Sequence, residues 1–439
     1  MLLKSLSIRR LYRTLSLDVE FNEDITLLVG INGSGKTSVL NVIEWLMRPN
    51  FQQLARAIYD SLTLKFSENG IPYELIAKRS PEMVILSING PEQPLAPITI
   101  RLGPLDAEDG EDADSNYRFL SPEKHEEPMW YLLKSFSKPT IISLDRTISA
   151  ESEDKFFIEP LTPLRSKLKT RARTQSPIDY VQEVTSSGYA EFRTRAIAND
   201  NELKANIVMS ALQDIRMDFR NEAVKAMSQE EITELEEKVS TYLSATIKSE
   251  DVREQVARFF RTSRLLAERN PPTGGQHLPV IDVILAQYRQ IESLAKAFND
   301  FEKKNASAFK SLNDYLVAVN RFFNDSNKEL FFDESTGKLA FSATDAPEKE
   351  RSGQPVTHLS SGERQILVLF TFLAFVSKPK SVFIIDEPEL SLHPKWQSDF
   401  MDAFLRLRPE QTQLLLATHS PDIVGKYKGN CVALRGAKS

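Results

Sequence analysis

The sequence predicts an α/β fold, in which a buried sheet with a mixed β-lobe is interrupted by a long helical insertion, and three observations predict it. The apolar run Ile25–Val29 passes through a glycine-rich turn directly into an amphipathic helix from Lys36 to Arg48. Two later runs, Val382–Ile385 and Leu414–Ala417, are apolar at every position, as strands buried on both faces must be. Between about 150 and 328 the strand-like alternation gives way to charged, helical sequence. At 439 residues the chain exceeds one ordinary compact domain. The expected division is 1–149 and 329–439 as two halves of one head, with 150–328 inserted between them.

Taken in order, Leu15, Leu17, Val19 and Phe21 alternate with Ser16, Asp18 and Glu20, a half-buried strand that turns at Asn22-Glu23-Asp24 into Ile25–Val29. In the helix that follows, Val39, Leu40, Val42, Ile43, Leu46 and Met47 form one apolar face, and Pro49 ends it. A β-meander comes next. Leu62, Leu64 and Phe66 alternate, Glu68-Asn69-Gly70 turns, and Tyr73–Ala77, Met83–Ile88 and Ile98–Leu102 continue it. Thr140–Leu144 is a further buried strand, ending at Asp145-Arg146.

The best-patterned part of the insertion runs from Ile281 to Phe323. Apolar residues recur there in alternating steps of three and four, at Ile281, Ile284, Tyr288, Ile291, Ala295, Phe298, Phe309, Leu312, Leu316, Val319 and Phe323. Glu302 and Asn305 fall on the intervening steps, so the spacing is that of a coiled-coil stripe with a polar interruption. Leu203–Ala226, with Val208, Leu212, Ile215 and Phe219 in step, is the expected antiparallel partner, and Pro271–Gly275 breaks the helices apart. Such an insertion either packs only on itself or serves as an arm for assembly. After it, Leu330–Phe332 and Lys338–Phe341 flank Ser335-Thr336-Gly337 as a hairpin, and Thr344–Gln354 reads as a loop.

Composition narrows the function classes. The net charge of −6 gives no global case for nucleic-acid binding. A local basic run, Arg165, Lys167, Lys169, Arg171 and Arg173, is either a contact surface for DNA or an acidic protein, or a solvated linker; the loop Asp106–Asp114 is strongly acidic. The single Cys431 excludes an intrachain disulfide, which suits a reducing cytosol and a cytoplasmic protein. The longest strongly apolar segment, Ile366–Val376, is too short to span a membrane, so no membrane partner is expected.

Gly30-Ile31-Asn32-Gly33-Ser34-Gly35-Lys36-Thr37 is G-x-x-x-x-G-K-T, the Walker A pattern, which makes the predicted fold that of a P-loop NTPase. Its glycines let successive N–H groups turn inward around phosphate oxygens at a helix N-terminus. Asn32, Gly33, Ser34, Gly35, Lys36, Thr37 and Ser38 are therefore the expected nucleotide-binding residues, with Lys36 on the β- and γ-phosphates of ATP and the Thr37 hydroxyl on Mg²⁺. Val382–Ile385 ends in Asp386-Glu387, two carboxylates that repel unless a cation or a proton intervenes. Mg²⁺ is the simplest answer, and the pair looks like a Walker B motif, with Asp386 on the metal and Glu387 polarising the attacking water.

Ser360 with Glu363 is a capping box, which alone would explain those two residues. With its neighbours, Leu359-Ser360-Ser361-Gly362-Glu363-Arg364-Gln365 resembles the signature motif of ABC-type ATPases, and His419 in Thr418-His419-Ser420-Pro421 resembles their switch histidine. Glu389-Leu390-Ser391-Leu392-His393-Pro394 is similar to the branch containing RecF and the overcoming-lysogenisation-defect (OLD) proteins. The resemblance covers about 1–145 and 330–439. It implies an ABC ATPase head that closes as a head-to-head dimer around two ATP molecules, so that Ser360, Ser361 and Gly362 act on nucleotide held by the other copy. It also implies catalytic roles for Lys36, Glu387 and His419. The glutamine that contacts Mg²⁺ in relatives has no clear match near Asp145, and Tyr12 and Arg13 are the candidates on the adenine side.

Few residues follow the strand Cys431–Leu434, so the Toprim nuclease that OLD proteins append is not expected. The resemblance then points to a stand-alone ATPase subunit of an anti-phage defence system such as PARIS or Septu. Its implied partners are itself, as a dimer or higher oligomer, and a separate toxic nuclease effector. The competing expectation is a RecF-like repair ATPase that binds DNA or a DNA-like ligand directly. Transport is not expected, because no transporter-type signature accompanies the motifs.

Overall fold

The structure is a computed structural model that describes residues 1–91, 94–102, 122–143, 148–149, 176–212, 229–246, 250–267, 279–345 and 353–434. Asp106–Asp114, Asp145-Arg146, Arg165–Arg173, Ile215, Phe219 and Pro271–Gly275 lie outside the described residues. The chain begins with β1 (Leu2–Leu11), β2 (Leu15–Glu20), β3 (Ile25–Val29), α1 (Lys36–Met47) and α2 (Phe51–Arg56). It continues through β4 (Ser61–Glu68), β5 (Ile71–Arg79), β6 (Met83–Asn89), β7 (Ile98–Arg101), α3 (Glu127–Ser135), β8 (Thr140–Ile142) and β9 (Ile148–Ser149). Among the described residues the next elements are α4 (Pro177–Leu212), α5 (Gln229–Thr246), α6 (Glu250–Ala267) and α7 (Pro279–Phe323). The chain then forms β10 (Lys328–Phe332), β11 (Leu339–Ala343), β12 (Gln354–Pro355), α8 (Ser361–Thr371), β13 (Val382–Asp386), α9 (Pro394–Leu407), β14 (Gln413–Thr418), α10 (Pro421–Val424) and β15 (Cys431–Ala433).

The chain divides into two compact units, 1–189 with 313–439, and 190–312. These divisions fall inside α4 and α7, whereas composition had placed the boundaries at 150 and 328. The difference has a physical cause: each long helix crosses the division without a break, and a helix shows no change of residue type at the point where its neighbours change.

The first unit is an α/β P-loop head. Its central sheet has the order β15-β3-β14-β13-β8-β9, with every neighbouring pair parallel except β8 and β9. Val382 and Ile384 of β13 join Leu415 and Ala417 of β14 in one core with α1, α2, α3 and an antiparallel sheet of order β2-β1-β4-β5-β6-β7. Phe383, the intervening residue, meets Phe404 of α9 on the other face, and Phe404 meets Phe370 of α8. Alternation along β13 is thus real in space but invisible in sequence, because both faces need apolar residues. The helix α8 is buried nearly all round, with Ile366, Leu367, Leu369 and Phe370 fully enclosed, as a helix without a polar face must be. A π-helical turn, Phe372–Val376, ends it. The hairpin β10–β11 is extended by β12, so Gln354 belongs to a strand and not to the loop expected over Thr344–Gln354.

The second unit is a helical cluster. Leu203 of α4, Ile232, Leu235 and Val239 of α5, Phe260 of α6, and Ala297 and Phe298 of α7 form its core. The α4–α7 pair is antiparallel: Phe192 meets Phe309, Asn199 donates to Asn305 at 2.8 Å, and Lys304 pairs with Glu202. Leu203 and Ile207, at the start of the expected Leu203–Ala226 partner, pack in this core with Ala297 and Phe298 of α7, and residues 213–226 lie outside the described residues. Among the described residues α5 and α6 join the core too, where a two-helix stripe was expected. The polar interruption is satisfied, since Asn305 pairs with Asn199 and Glu302 lies 3.0 Å from Lys238. Among the described residues no helix is long and apolar enough to cross a membrane.

Candidate functional site

Strand register builds the site. Asp386 of β13 lies opposite Ala417 of β14, and Thr418 lies opposite Val29 of β3, so three parallel strands release their chains at the same edge. The segments that follow, from Gly30, Glu387 and His419, therefore meet. This is the carboxyl edge of the sheet, where α/β folds collect ligands.

The Gly30–Lys36 turn needs its glycines at three places, and Gly33 lies in the left-handed region at φ 80°. Gly35 is left-handed, with φ 97°, and a Cβ there would sit 3.0 Å from the Leu15 and Leu17 side chains. A Cβ on Gly30 would lie 2.5 Å from Ser34 Oγ. Gly35 also caps α1, so the first turn of that helix gains no side-chain acceptor, and it carries no acid. Its orphan N–H groups remain for a ligand.

A 420 Å³ cleft opens at this turn, lined by Tyr12, Thr14, Leu15, Asn32, Gly33, Gly35, Lys36, Thr37, Ser38, Glu387 and His419. Ser34, also expected to bind nucleotide, is buried with its hydroxyl turned toward Gly30, and its N–H donates to Ile31 O at 3.1 Å. Of the two adenine-side candidates, Tyr12 lines the cleft and is half exposed, while Arg13 is not among the lining residues.

Lys36 is almost fully buried, and its Nζ lies 3.2 Å from Gly30 O and 2.5 Å from His419 Nε2. The same Nε2 is 3.2 Å from Glu387 Oε1. One imidazole nitrogen can accept from the ammonium or donate to the carboxylate, but not both. The Lys36–His419–Glu387 chain therefore has two proton arrangements.

Burial pushes the Asp386 carboxyl above the usual range, against the Thr37 hydroxyl bonded to it and the charge of Lys36. Burial, and then the charge of Glu389, push Glu387 up to about 7. Glu387 sits in the left-handed region at φ 51°, held there by its N–H on Ala417 O at 2.9 Å. Asp386 Oδ1 is buried and has no hydrogen-bond partner among the described residues. A shielded carboxylate oxygen beside a threonine hydroxyl is a hard, all-oxygen donor set, which fits Mg²⁺.

The signature candidates are elsewhere. Ser360 and Ser361 are exposed, Gly362 is buried, and none of the three lines the cleft. Ser360 accepts from Glu363 N while Glu363 Oε2 accepts from Ser360 N at 2.8 Å, so the capping box is formed. The Leu392-His393-Pro394 segment has a local role as well: Leu392 is buried, His393 caps α9 by accepting from Lys395 N, and Pro394 opens that helix. Sequence reasoning quoted Glu389 but gave it no role. Its Oε1 accepts from Thr418 Oγ1 at 2.8 Å, His419 N at 2.6 Å and Ser420 N at 3.0 Å. The only sequence signal was a third acid soon after Asp386-Glu387.

Over 75 residues, 17% of this chain, the sequence is 36% identical to proteins provisionally named ABC transporter ATP-binding protein from Bacillus thuringiensis subsp. konkukian, Bacillus anthracis and Bacillus cereus. The matched stretch spans 13% of the length of those relatives. Among solved structures, the Smc head domain with an extended coiled coil bound to the C-terminal domain of ScpA, derived from Pyrococcus furiosus, aligns with a TM-score of 0.39 at 13% identity, over 99% of this chain and 94% of that one. The SMC head domain from Thermotoga maritima aligns with a TM-score of 0.37 at 12% identity, over 97% and 91%. Residues 1–424 match the AAA ATPase domain family, and with the match covering nearly the whole chain, the protein belongs to that family.

Proposed function

We propose that this protein binds ATP with Mg²⁺ and hydrolyses it, and that two copies close head to head around the nucleotide. The observation that carries the reading is the meeting of Lys36, Thr37, Glu387 and His419 in one cleft at the carboxyl edge of the parallel sheet. Lys36 and the uncapped first turn of α1 hold the phosphates. Thr37 and Asp386 would hold Mg²⁺, which would neutralise phosphate charge there. Glu387, whose carboxyl titrates near neutrality, orients and deprotonates the attacking water. His419 senses the γ-phosphate and hands the Lys36–Glu387 chain one of its two arrangements. Ser360, Ser361 and Gly362 lie outside the cleft of their own chain, which supports their acting on the nucleotide of the other copy.

The proposal extends to biology through the resemblance of residues 389–394 to the RecF and OLD branch. We place the protein in the cytoplasm as the sensor subunit of an anti-phage defence system, controlling a separate toxic nuclease through a change of shape. The rival is a RecF-like ATPase that works on DNA directly.

Glu387→Gln tests the chemistry. The amide keeps the shape and loses the base, so turnover falls about 10²- to 10⁴-fold while ATP binding persists and the closed dimer accumulates. Hydrolysis at the wild-type rate would remove Glu387 from its role. Co-purification with the product of the neighbouring reading frame, and protection from phage only when both are expressed, tests the defence reading. DNA cutting or remodelling by the purified protein alone supports the rival.

A further inference from the structure

Glu389 stands in the loop between β13 and α9, and its Oε1 gathers Thr418 Oγ1, His419 N and Ser420 N, two consecutive amides of the chain leaving β14 and the hydroxyl just before them. Three donors aimed at one point fix the direction of that chain, and an anionic acceptor makes the bonds shorter and stronger than a neutral one would. The neighbouring contacts close the arrangement. Ser420 Oγ donates to Gln397 Oε1 at 2.6 Å and accepts from Asp422 N and Ile423 N, and Gln397 Nε2 returns to Leu392 O at 3.0 Å. The loop after β13 and the loop after β14 are thus sewn together from both sides.

The same loop also touches α8. Ser391 is left-handed, with φ 70°, and a Cβ added to Gly362 would lie 2.7 Å from the Ser391 carbonyl oxygen. Only glycine allows this approach, so the β13–α9 loop meets His419 through Glu389 and the N-terminus of α8 through Ser391.

We infer that Glu389 is a positioning residue, which sets His419 against Lys36 and Glu387 and ties that setting to the signature helix of the same chain. The inference rests on the ATPase reading above. Without the carboxylate, the His419 N–H and the Thr418 hydroxyl lose their acceptor and the Ser420 N–H keeps only Thr418 Oγ1, so the loop shifts to recover one. His419 then leaves its place between Lys36 and Glu387. Glutamine keeps an oxygen for the same three donors and loses the charge, which also bears on the neighbouring Glu387.

Two measurements on the purified full chain test this. In steady-state ATP hydrolysis, Glu389→Ala lowers kcat about 10²-fold, the scale of a misplacement near 1 Å, with KM for ATP within about threefold of wild type. Glu389→Gln recovers most of the loss. In a His419→Ala background the Glu389→Ala loss shrinks to about threefold or less, because both changes act through one group. Wild-type kcat in Glu389→Ala, or losses that multiply in the double variant, would overturn the inference, whereas a wild-type protein that hydrolyses no ATP would instead sink the parent reading. Independently of turnover, hydrogen exchange without nucleotide is faster at the His419 and Ser420 amides in Glu389→Ala and close to wild type in Glu389→Gln. Unchanged exchange at both amides in the alanine variant also overturns it.

Discussion

The helices α1 and α8 both begin with small residues where a phosphate is expected, and they begin in opposite ways. The α1 terminus is open: Gly35 supplies a left-handed turn and no acceptor, and no acid stands in the first turn. The α8 terminus is largely satisfied by its own chain, because Ser360 and Glu363 cap each other and the buried Glu363 carboxylate lies 2.9 Å from Lys328 Nζ. An open terminus is a site that waits for an anion. A capped one is stable alone, and it can offer only exposed groups such as the Ser361 hydroxyl to a second molecule. The contrast supports the proposal that α1 captures nucleotide within one chain while α8 serves closure between two.

The largest effect should come from breaking each side separately and then mixing them. Lys36→Ala removes a charge-assisted contact with phosphate, so ATP affinity falls about 10- to 100-fold, the equivalent of about 1.5–3 kcal/mol. Ser361→Arg changes an exposed residue outside the cleft, so each chain binds ATP as before but hydrolysis is lost with closure. When the two inactive variants are combined, a mixed dimer contains one site with an intact P-loop and an intact signature, and activity returns in part. Failure of the mixture to hydrolyse ATP, with both variants folded and Ser361→Arg still binding nucleotide, would show that α8 does not act across the dimer.

A smaller effect separates the two termini by pH. Glu387 is raised to about 7, first by burial and then by Glu389, and Asp386 is raised by burial. A carboxyl raised in the folded state stabilises it below its unfolded value, and that contribution is lost as pH rises through the folded one. Glu363 runs the other way. Burial raises it, but Lys328 and the Ser360 bonds outweigh burial and hold it below its ordinary value. Its contribution is present above the unfolded carboxylate value and is lost as pH falls. In buffer without Mg²⁺ or nucleotide, stability should therefore decline between about pH 4.5 and 7 by on the order of 1 kcal/mol, with solvent screening allowed for. Glu387→Gln flattens that decline, and Glu363→Gln flattens the acid limb instead. Thermal melts across pH decide it, and a slope in the neutral range that survives Glu387→Gln would remove the assignment.

What the sequence disclosed follows from how local each feature is. The turn at Gly30–Lys36 and the pair Asp386-Glu387 are contiguous, and the strands that carry them are apolar throughout, so residue type and order sufficed. The strand β1 escaped notice because a bulge between Leu3 and Ser5 shifts its pairing with β4 and breaks the alternation of buried residues. Glu389 escaped because its partners are Thr418, His419 and Ser420, close only after β13 and β14 pair. In α7 the regular stripe predicted Leu316, yet Tyr315 is the fully buried residue, with its hydroxyl 2.8 Å from that of Thr371. A helix whose surroundings change along its length turns a different face to each neighbour, and periodicity reports only the average.

The smallest effect tests how much of the α8 terminus is structure and how much is function. Ser360→Ala removes the side-chain acceptor for Glu363 N, and Glu363 can still reach back to the Ser360 N–H, so half of the capping box survives. Loss of a serine cap costs about 1 kcal/mol, within a range of about 0.5–2. Ser360 is exposed, and the helix it opens is held by Ile366, Leu367, Leu369 and Phe370 in the core, so the fold tolerates that loss. The expected result is a melting temperature a few degrees lower, with ATP binding by the single chain unchanged. Turnover distinguishes the two roles. If Ser360 serves only as a cap, Ser360→Asp, which is an equally good cap, restores both stability and hydrolysis. If its hydroxyl also meets the γ-phosphate across the dimer, the aspartate restores stability but sets a negative charge against the nucleotide, and hydrolysis falls further than in the alanine variant.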